Sequence, residues 1–157
     1  MSPKRPGTEK DPSGPALTLD RMLEIWNSPY GSGKKPDFSR IYPHYHPHCR
    51  FHDSIQAFEG KQKFVEMCDR LSRRCSEIYM DVHTAAQNGN TFFFEWTMSV
   101  RFGPAPLTPM YGATKVTVDE EGLITAHRDY YDLWGDSLDA IPVMGKIYRL
   151  FMKTVMG

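Results

Sequence analysis

A histidine and an aspartate two positions apart, His127 and Asp129, are the residues of this chain best spaced for moving a proton. They lie in residues 124–134 (ITAHRDYYDLW), which follow 116–123 (VTVDEEGL), and residues 119–122 read as a hairpin turn between two strand-like runs. A strand turns alternate side chains to opposite faces. Thr125, His127, Asp129, Tyr131 and Leu133 therefore share one face, and Ala126, Arg128, Tyr130, Asp132 and Trp134 the other. On the first face the imidazole and the carboxylate come within hydrogen-bond reach, an acid–base unit; the plainer alternative is a surface pair. Both faces carry charge among large aromatics, whereas a half-buried strand keeps its charges on one side. A charge on an interior face persists only when paired or put to use, so the run points to a lined cavity. The alternative is an exposed edge strand of mixed composition.

A second carboxylate, Asp53, follows Phe51 at the end of a short strand-like run and reads either as a cavity wall residue or as a turn aspartate. Four histidines nearby, His44, His46, His48 and His52, invite a metal reading. Tetrahedral sites need convergent ligands with support behind them, and Pro43 and Pro47 splay this segment, so no metal is expected. No cofactor is called for either.

The elements that must position these groups follow from periodicity. Thr18 is a candidate N-cap, and Leu19, Met22, Leu23 and Trp26 follow an i, i+3, i+4, i+7 pattern, an amphipathic helix that ends near residues 27–33. A short helix is expected over 38–42. Pro43 and Pro47 break the chain ahead of a short strand over 49–53. Gly60 precedes a second long helix with Phe64, Met67, Cys68 and Leu71 on its apolar stripe; Cys68 and Cys75 are expected seven apart on one side of that helix. Strands over about 76–88, 91–103, 108–119 and 122–134 form a meander, with turns at 88–90 and 119–122 and a proline-rich loop over 103–109. Helices followed by a long antiparallel meander give an α+β fold with helices on one face of a curved sheet. Ser137 is a candidate cap for a last helix with Pro142 in its first turns. Val143, Ile147, Leu150, Phe151 and Val155 would line one side of it, with Lys146, Arg149 and Lys153 supplying charge. A membrane surface is one home for such a helix, and its own domain or a dimer partner is the expected one.

The bulk numbers bound the function. The 157 residues suit one domain, with 1–16 as a polar disordered tail, 17–135 as the folded body and 136–157 as the C-terminal amphipathic helix. Charge balances at 19 basic against 19 acidic side chains, which offers no field for nucleic acid. Aromatics make up 13% of the chain and nine methionines add adaptable apolar lining. No apolar run approaches membrane-spanning length. Cys49, Cys68 and Cys75 are odd in number and lack metal spacing, as in a reduced cytoplasmic protein.

Residues 41–54 (IYPHYHPHCRFHDS), then 58–61 (FEGK), and finally 122–132 (GLITAHRDYYD), resemble patterns of the nuclear transport factor 2-like superfamily. That superfamily has a cone-shaped α+β fold and includes SnoaL-like cyclases, ketosteroid isomerases and limonene epoxide hydrolases. The resemblance spans roughly residues 18–135 and implies the fold, with the N-terminal helices on the concave face of a curved, mostly antiparallel sheet. It also implies a homodimer through the open sheet face. By the same resemblance Asp53 matches the general base of the isomerases, with Ser54 in place of the proline that often follows. The position of the isomerases' second aspartate holds Thr114, and for their tyrosine only Tyr30 or Trp26 is at hand, without a motif match. Asp129 matches an aspartate with which the epoxide hydrolases activate water, while their companion arginine and aspartate are replaced by Trp96 and Met98. The fold hosts enzymes and non-enzymes alike.

Two functions follow as expectations. One is an isomerase, cyclase or hydrolase for a small apolar molecule, with Asp53 or Asp129 transferring the proton and His127 or Thr114 assisting. Its pocket would be lined by Trp26, Tyr30, Phe51, Trp96, Met98, Tyr111, Thr114 and Tyr131. The other is a non-catalytic protein that binds an apolar ligand or a partner, favoured by the apolar interior face Phe92, Phe94, Trp96, Met98 and Val100.

Overall fold

In the computed structural model, residues 17–30, 35–104, 107–132 and 142–156 are described. The expected tail at 1–16, the glycines at 31–33, Leu133, Trp134 and the Ser137 cap lie outside them.

Helix α1 (Leu19–Asn27) begins where Thr18 accepts a hydrogen bond from the Arg21 amide at 3.3 Å, and it buries Met22, Ile25 and Trp26. Two 3-10 turns follow, Phe38–Arg40 and Tyr42–His44, where one short helix is expected. Strand β1 (Tyr45–His52) is longer than the 49–53 read from the sequence. Pro47 does not break it, because the register with its neighbour shifts between Tyr45 and Arg50 and absorbs the missing N–H. A short edge strand β2 (Ala57–Glu59), not foreseen, pairs with β1. Gly60, at φ 106°, turns the chain into α2 (Lys61–Arg74), which buries Phe64 and Cys68. The helix stops at Arg74, so Cys75 does not share its face with Cys68: it opens strand β3, and burial rather than helical spacing is what the two thiols have in common. All three cysteines are buried and free.

The meander follows the expected spans closely: β3 (Cys75–Asn88), β4 (Thr91–Phe102), β5 (Thr108–Val118) and β6 (Ile124–Tyr131). Gly89 and Gly122 make the tight turns at φ 58° and 78°, a region open to glycine at little cost. The six strands form one curved, unclosed sheet in the order β2-β1-β6-β5-β4-β3, antiparallel except where β1 runs parallel to β6. Last comes α3 (Pro142–Met156).

Register decides what meets on the inner face. One row across the sheet reads Phe92, Val116, His127, Phe51 and Phe58. The next reads Phe94, Thr114 and Asp129, and a third reads Val82, Trp96, Gly112 and Tyr131. The expected interior face of β4 is observed: Phe92, Phe94, Trp96 and Val100 are buried and Met98 is partly so. Helices α1 and α2 cover these rows.

Candidate functional site

The period-2 reading of β6 places His127 and Asp129 on the buried side, and the structure builds a chain of hydrogen bonds through them. The Trp96 indole N–H donates to Thr114 Oγ1 at 2.8 Å. The Thr114 hydroxyl in turn donates to Asp129 Oδ1 at 2.5 Å. His127 Nε2 meets the same oxygen at 2.9 Å, and the Tyr45 hydroxyl meets His127 Nδ1 at 2.7 Å. Burial, with smaller contributions from Cys68 and Asp129, holds the Tyr45 phenol well above its ordinary value of 10, so it keeps its proton. A phenol that donates to Nδ1 leaves the other ring nitrogen to carry the imidazole hydrogen. Every donor in the relay then points toward one carboxylate oxygen.

Four rings enclose the imidazole. Trp26 and Phe51 present edges at 5.1 and 4.8 Å between centroids, and Phe64 and Tyr45 lie tilted at 5.9 and 6.1 Å. Trp26 stacks on Phe94 and donates its N–H to Met80 Sδ at 3.2 Å. The His127 side chain is 5% exposed while that of Asp129 is 20% exposed, so the carboxylate is where this network reaches the surface.

It reaches a shallow cleft of about 370 Å³ lined by His52, Asp53, Ser54, Arg128, Asp129, Tyr130 and Tyr131. Burial first, then the charges of Asp53 and Asp129, push the Tyr131 phenol above its ordinary value. The structure thus brings the two candidate aspartates to one cleft with a protonated phenol facing both. Asp53 itself is committed to a turn: its Oδ1 accepts from the amides of Ile55 and Gln56 at 2.8 and 2.7 Å. Ser54 ties that turn to the Tyr131 carbonyl at 2.9 Å. A second depression of about 220 Å³ is lined by Asn27, Tyr30, Tyr79, Met80, Asp81 and Val82. Burial first, and then the charge of Asp129, raises the Tyr30 phenol in its wall above its ordinary value.

Of the expected pocket residues, Trp26, Phe51, Trp96 and Thr114 are fully inside, and Tyr30, Met98 and Tyr131 are partly buried against them. Tyr111 is misplaced by the sequence reading. It pairs with Thr97 on the outer face and is 60% exposed, because an odd position on β5 cannot share a face with Thr114. Tyr45 was missed, although it alternates with Cys49 and Phe51 and a buried phenol needs a partner for its hydroxyl. Gly112 was missed too: a Cβ there would lie 2.4 Å from the Trp96 ring and 2.7 Å from the Tyr130 carbonyl, so this glycine makes room for the indole that reaches Thr114. Among the described residues no group of three or more His, Cys, Asp or Glu could hold a metal ion, and His46 and His48 merely stand side by side.

A cone-like α+β sheet with polar groups on its inner face defines a class of small single-domain proteins, and comparison places the chain within it. Residues 19–127 match the family described as the SnoaL-like domain, and the chain belongs to that family. No curated protein matches. Among solved structures, an LEH-like epoxide hydrolase from M. tuberculosis is 18% identical, with a TM-score of 0.61 over 86% of this chain and 96% of that one. A protein with a ketosteroid isomerase-like fold from Catenulispora acidiphila, in complex with trimethylamine, is 15% identical, with a TM-score of 0.64 over 76% and 91%. A SnoaL-like polyketide cyclase assignment from Jannaschia is 15% identical, with a TM-score of 0.62 over 81% and 92%. At these identities the likeness is one of fold.

Proposed function

We propose that the protein catalyses proton transfer on a small, largely apolar molecule bound at the cleft beside Asp129, with that carboxylate as the general base. The observation that carries this reading is the convergence of the Thr114 hydroxyl and His127 Nε2 on Asp129 Oδ1. Two donors on one oxygen fix the carboxylate and leave Oδ2 to accept the proton of a carbon acid or of water. His127, aligned by Tyr45, is a positioning residue rather than the acid. The Tyr131 phenol, held in its protonated form, is the donor available to a developing oxyanion. Asp53 supports the cleft by ordering its turn.

A panel of enolisable ketones and epoxides tests this, read by loss of the α-proton signal in deuterated water and by diol formation. Turnover that vanishes in Asp129→Asn and persists in Asp53→Asn is the expected result. A specific observation favours a second reading, a binding protein without chemistry: the interior around His127 is filled by Trp26, Tyr45, Phe51 and Phe64. A ligand that co-purifies, is seen by native mass spectrometry and stays bound in Asp129→Asn without turnover would decide for it. We further propose a homodimer through the outer sheet face, where Tyr79, Phe93, Tyr111 and Tyr130 are exposed, to be read by sedimentation at low concentration.

A further inference from the structure

Among the groups of the relay, the Trp96 indole is the one that can only donate. Trp96 is 2% exposed and Thr114 is fully buried, so the N–H has no bulk water to turn to. The indole reaches Thr114 by lying across Gly112, its partner on β5, to the next row of the sheet. At the far end of the relay direction is not fixed in this way. Phenol and imidazole can each donate or accept, so the Tyr45–His127 bond can reverse when the ring gains a hydrogen.

Direction matters when the base takes its proton, because Oδ1 and Oδ2 of Asp129 compete for it. A Thr114 hydroxyl free to turn would accept from a protonated Oδ1 and draw the proton inward, away from the cleft. On its own row Thr114 stands between Phe94, which offers no acceptor, and Asp129. The direction toward the next row is filled by the indole N–H at 2.8 Å. The single hydroxyl hydrogen is thereby held on Oδ1, which stays an acceptor while Oδ2 takes the proton. We propose that Trp96 is a positioning residue for the general base, committing the Thr114 hydroxyl to Asp129 Oδ1 and so delivering the abstracted proton to Oδ2. The role rests on Asp129 being that base.

The test encodes benzothienylalanine in place of Trp96 in the full chain. Both rings then stay over Gly112, and a sulfur that accepts replaces the N–H that donates. On whichever ketone or epoxide turns over, kcat should fall about ten-fold, the kinetic counterpart of one hydrogen bond, with KM within about two-fold. In Thr114→Val the same exchange should change kcat by less than about two-fold further, because no hydroxyl is left to direct. Thr114→Ser, which keeps the hydroxyl, should remain sensitive to it. A spectroscopic signature needs no turnover. The Trp96 indole N–H proton resonance, assigned by its loss in the exchanged chain, should move upfield in Asp129→Asn, where the hydroxyl between them faces an uncharged acceptor. A kcat that the exchange leaves within about two-fold overturns the proposal and leaves Asp129 its part as base. So does a loss of equal size in Thr114→Val, which would make the indole a packing group, and so does a resonance that stays in place in Asp129→Asn. No turnover in the unchanged chain overturns the base reading itself, and this role with it.

Discussion

Asp129 and Asp53 share a cleft, and they differ in what their oxygens already hold. Asp129 stands on the inner face of β6, where Oδ1 takes the Thr114 hydroxyl and the His127 ring nitrogen. Asp53 stands at the end of β1, where Oδ1 takes two backbone amides of its own turn. Side-chain donors delivered by the paired strands β5 and β6 aim a carboxylate at a reactant, whereas local amides shape the loop that carries it. The sequence resemblance offers both as candidates, and the hydrogen bonds tell them apart.

The contrast is broken most sharply by charge removal. Asp129→Asn keeps an acceptor at Oδ1 and the side-chain volume, so the fold should hold while kcat/KM falls about a thousand-fold, within the range for a general base. Asp53→Asn should cost less than about ten-fold. Equal losses would show that the turn aspartate also takes part in chemistry. Gly112→Ala drives a methyl into the Trp96 ring and the Tyr130 carbonyl and should cost about 3 kcal/mol, read as a lower Tm and a shifted urea midpoint. The same change at Gly103, where a Cβ meets nothing, should cost less despite its φ of 56°. Thr114→Val leaves the Trp96 N–H without its acceptor and Asp129 with one of its two donors, His127, for about 2 kcal/mol in chemical denaturation. Asp53→Ala loses the two turn amides and its interaction with the Tyr131 phenol, all at a partly exposed position, about 1 kcal/mol.

The smallest effect separates the buried relay from the surface turn by pH. The Tyr45 and Tyr131 phenols are held above their ordinary value of 10 in the folded state, chiefly by burial. The stability this brings is complete below pH 10, because both states are then protonated, and it is lost as pH rises above 10, where only the unfolded chain ionises. Urea midpoints should therefore fall on the alkaline side, and Tyr45→Phe should make that fall shallower. A fall unchanged in Tyr45→Phe would place the alkaline sensitivity elsewhere.

Much of this was legible in residue order. Strict alternation along 124–131 placed His127 and Asp129 on one face, and the turn signals at 88–90 and 119–122 set the lengths of four strands. What was not legible depends on register. Pro43 and Pro47 concealed the first half of β1, and Tyr45 with it, because a proline reads as a break unless a shift in pairing absorbs it. Tyr111 joins Thr114 in the pocket expected from the sequence, although parity on β5 separates them. No local pattern says that Gly112 will lie opposite Trp96, since that depends on which strand pairs with which, and at what offset.

The ring cage around His127 makes the protein its own optical instrument. Trp26 touches the imidazole edge-on at 5.1 Å, and Trp96 gives its N–H to the hydroxyl that leans on Asp129. A ligand, a proton or a substitution that disturbs the carboxylate must alter the surroundings of one indole or the other. In a Trp134→Phe background, which removes the third indole, intrinsic emission reads events at the centre of the cone without any label, and Trp26→Phe and Trp96→Phe would show from which end of the relay each signal comes.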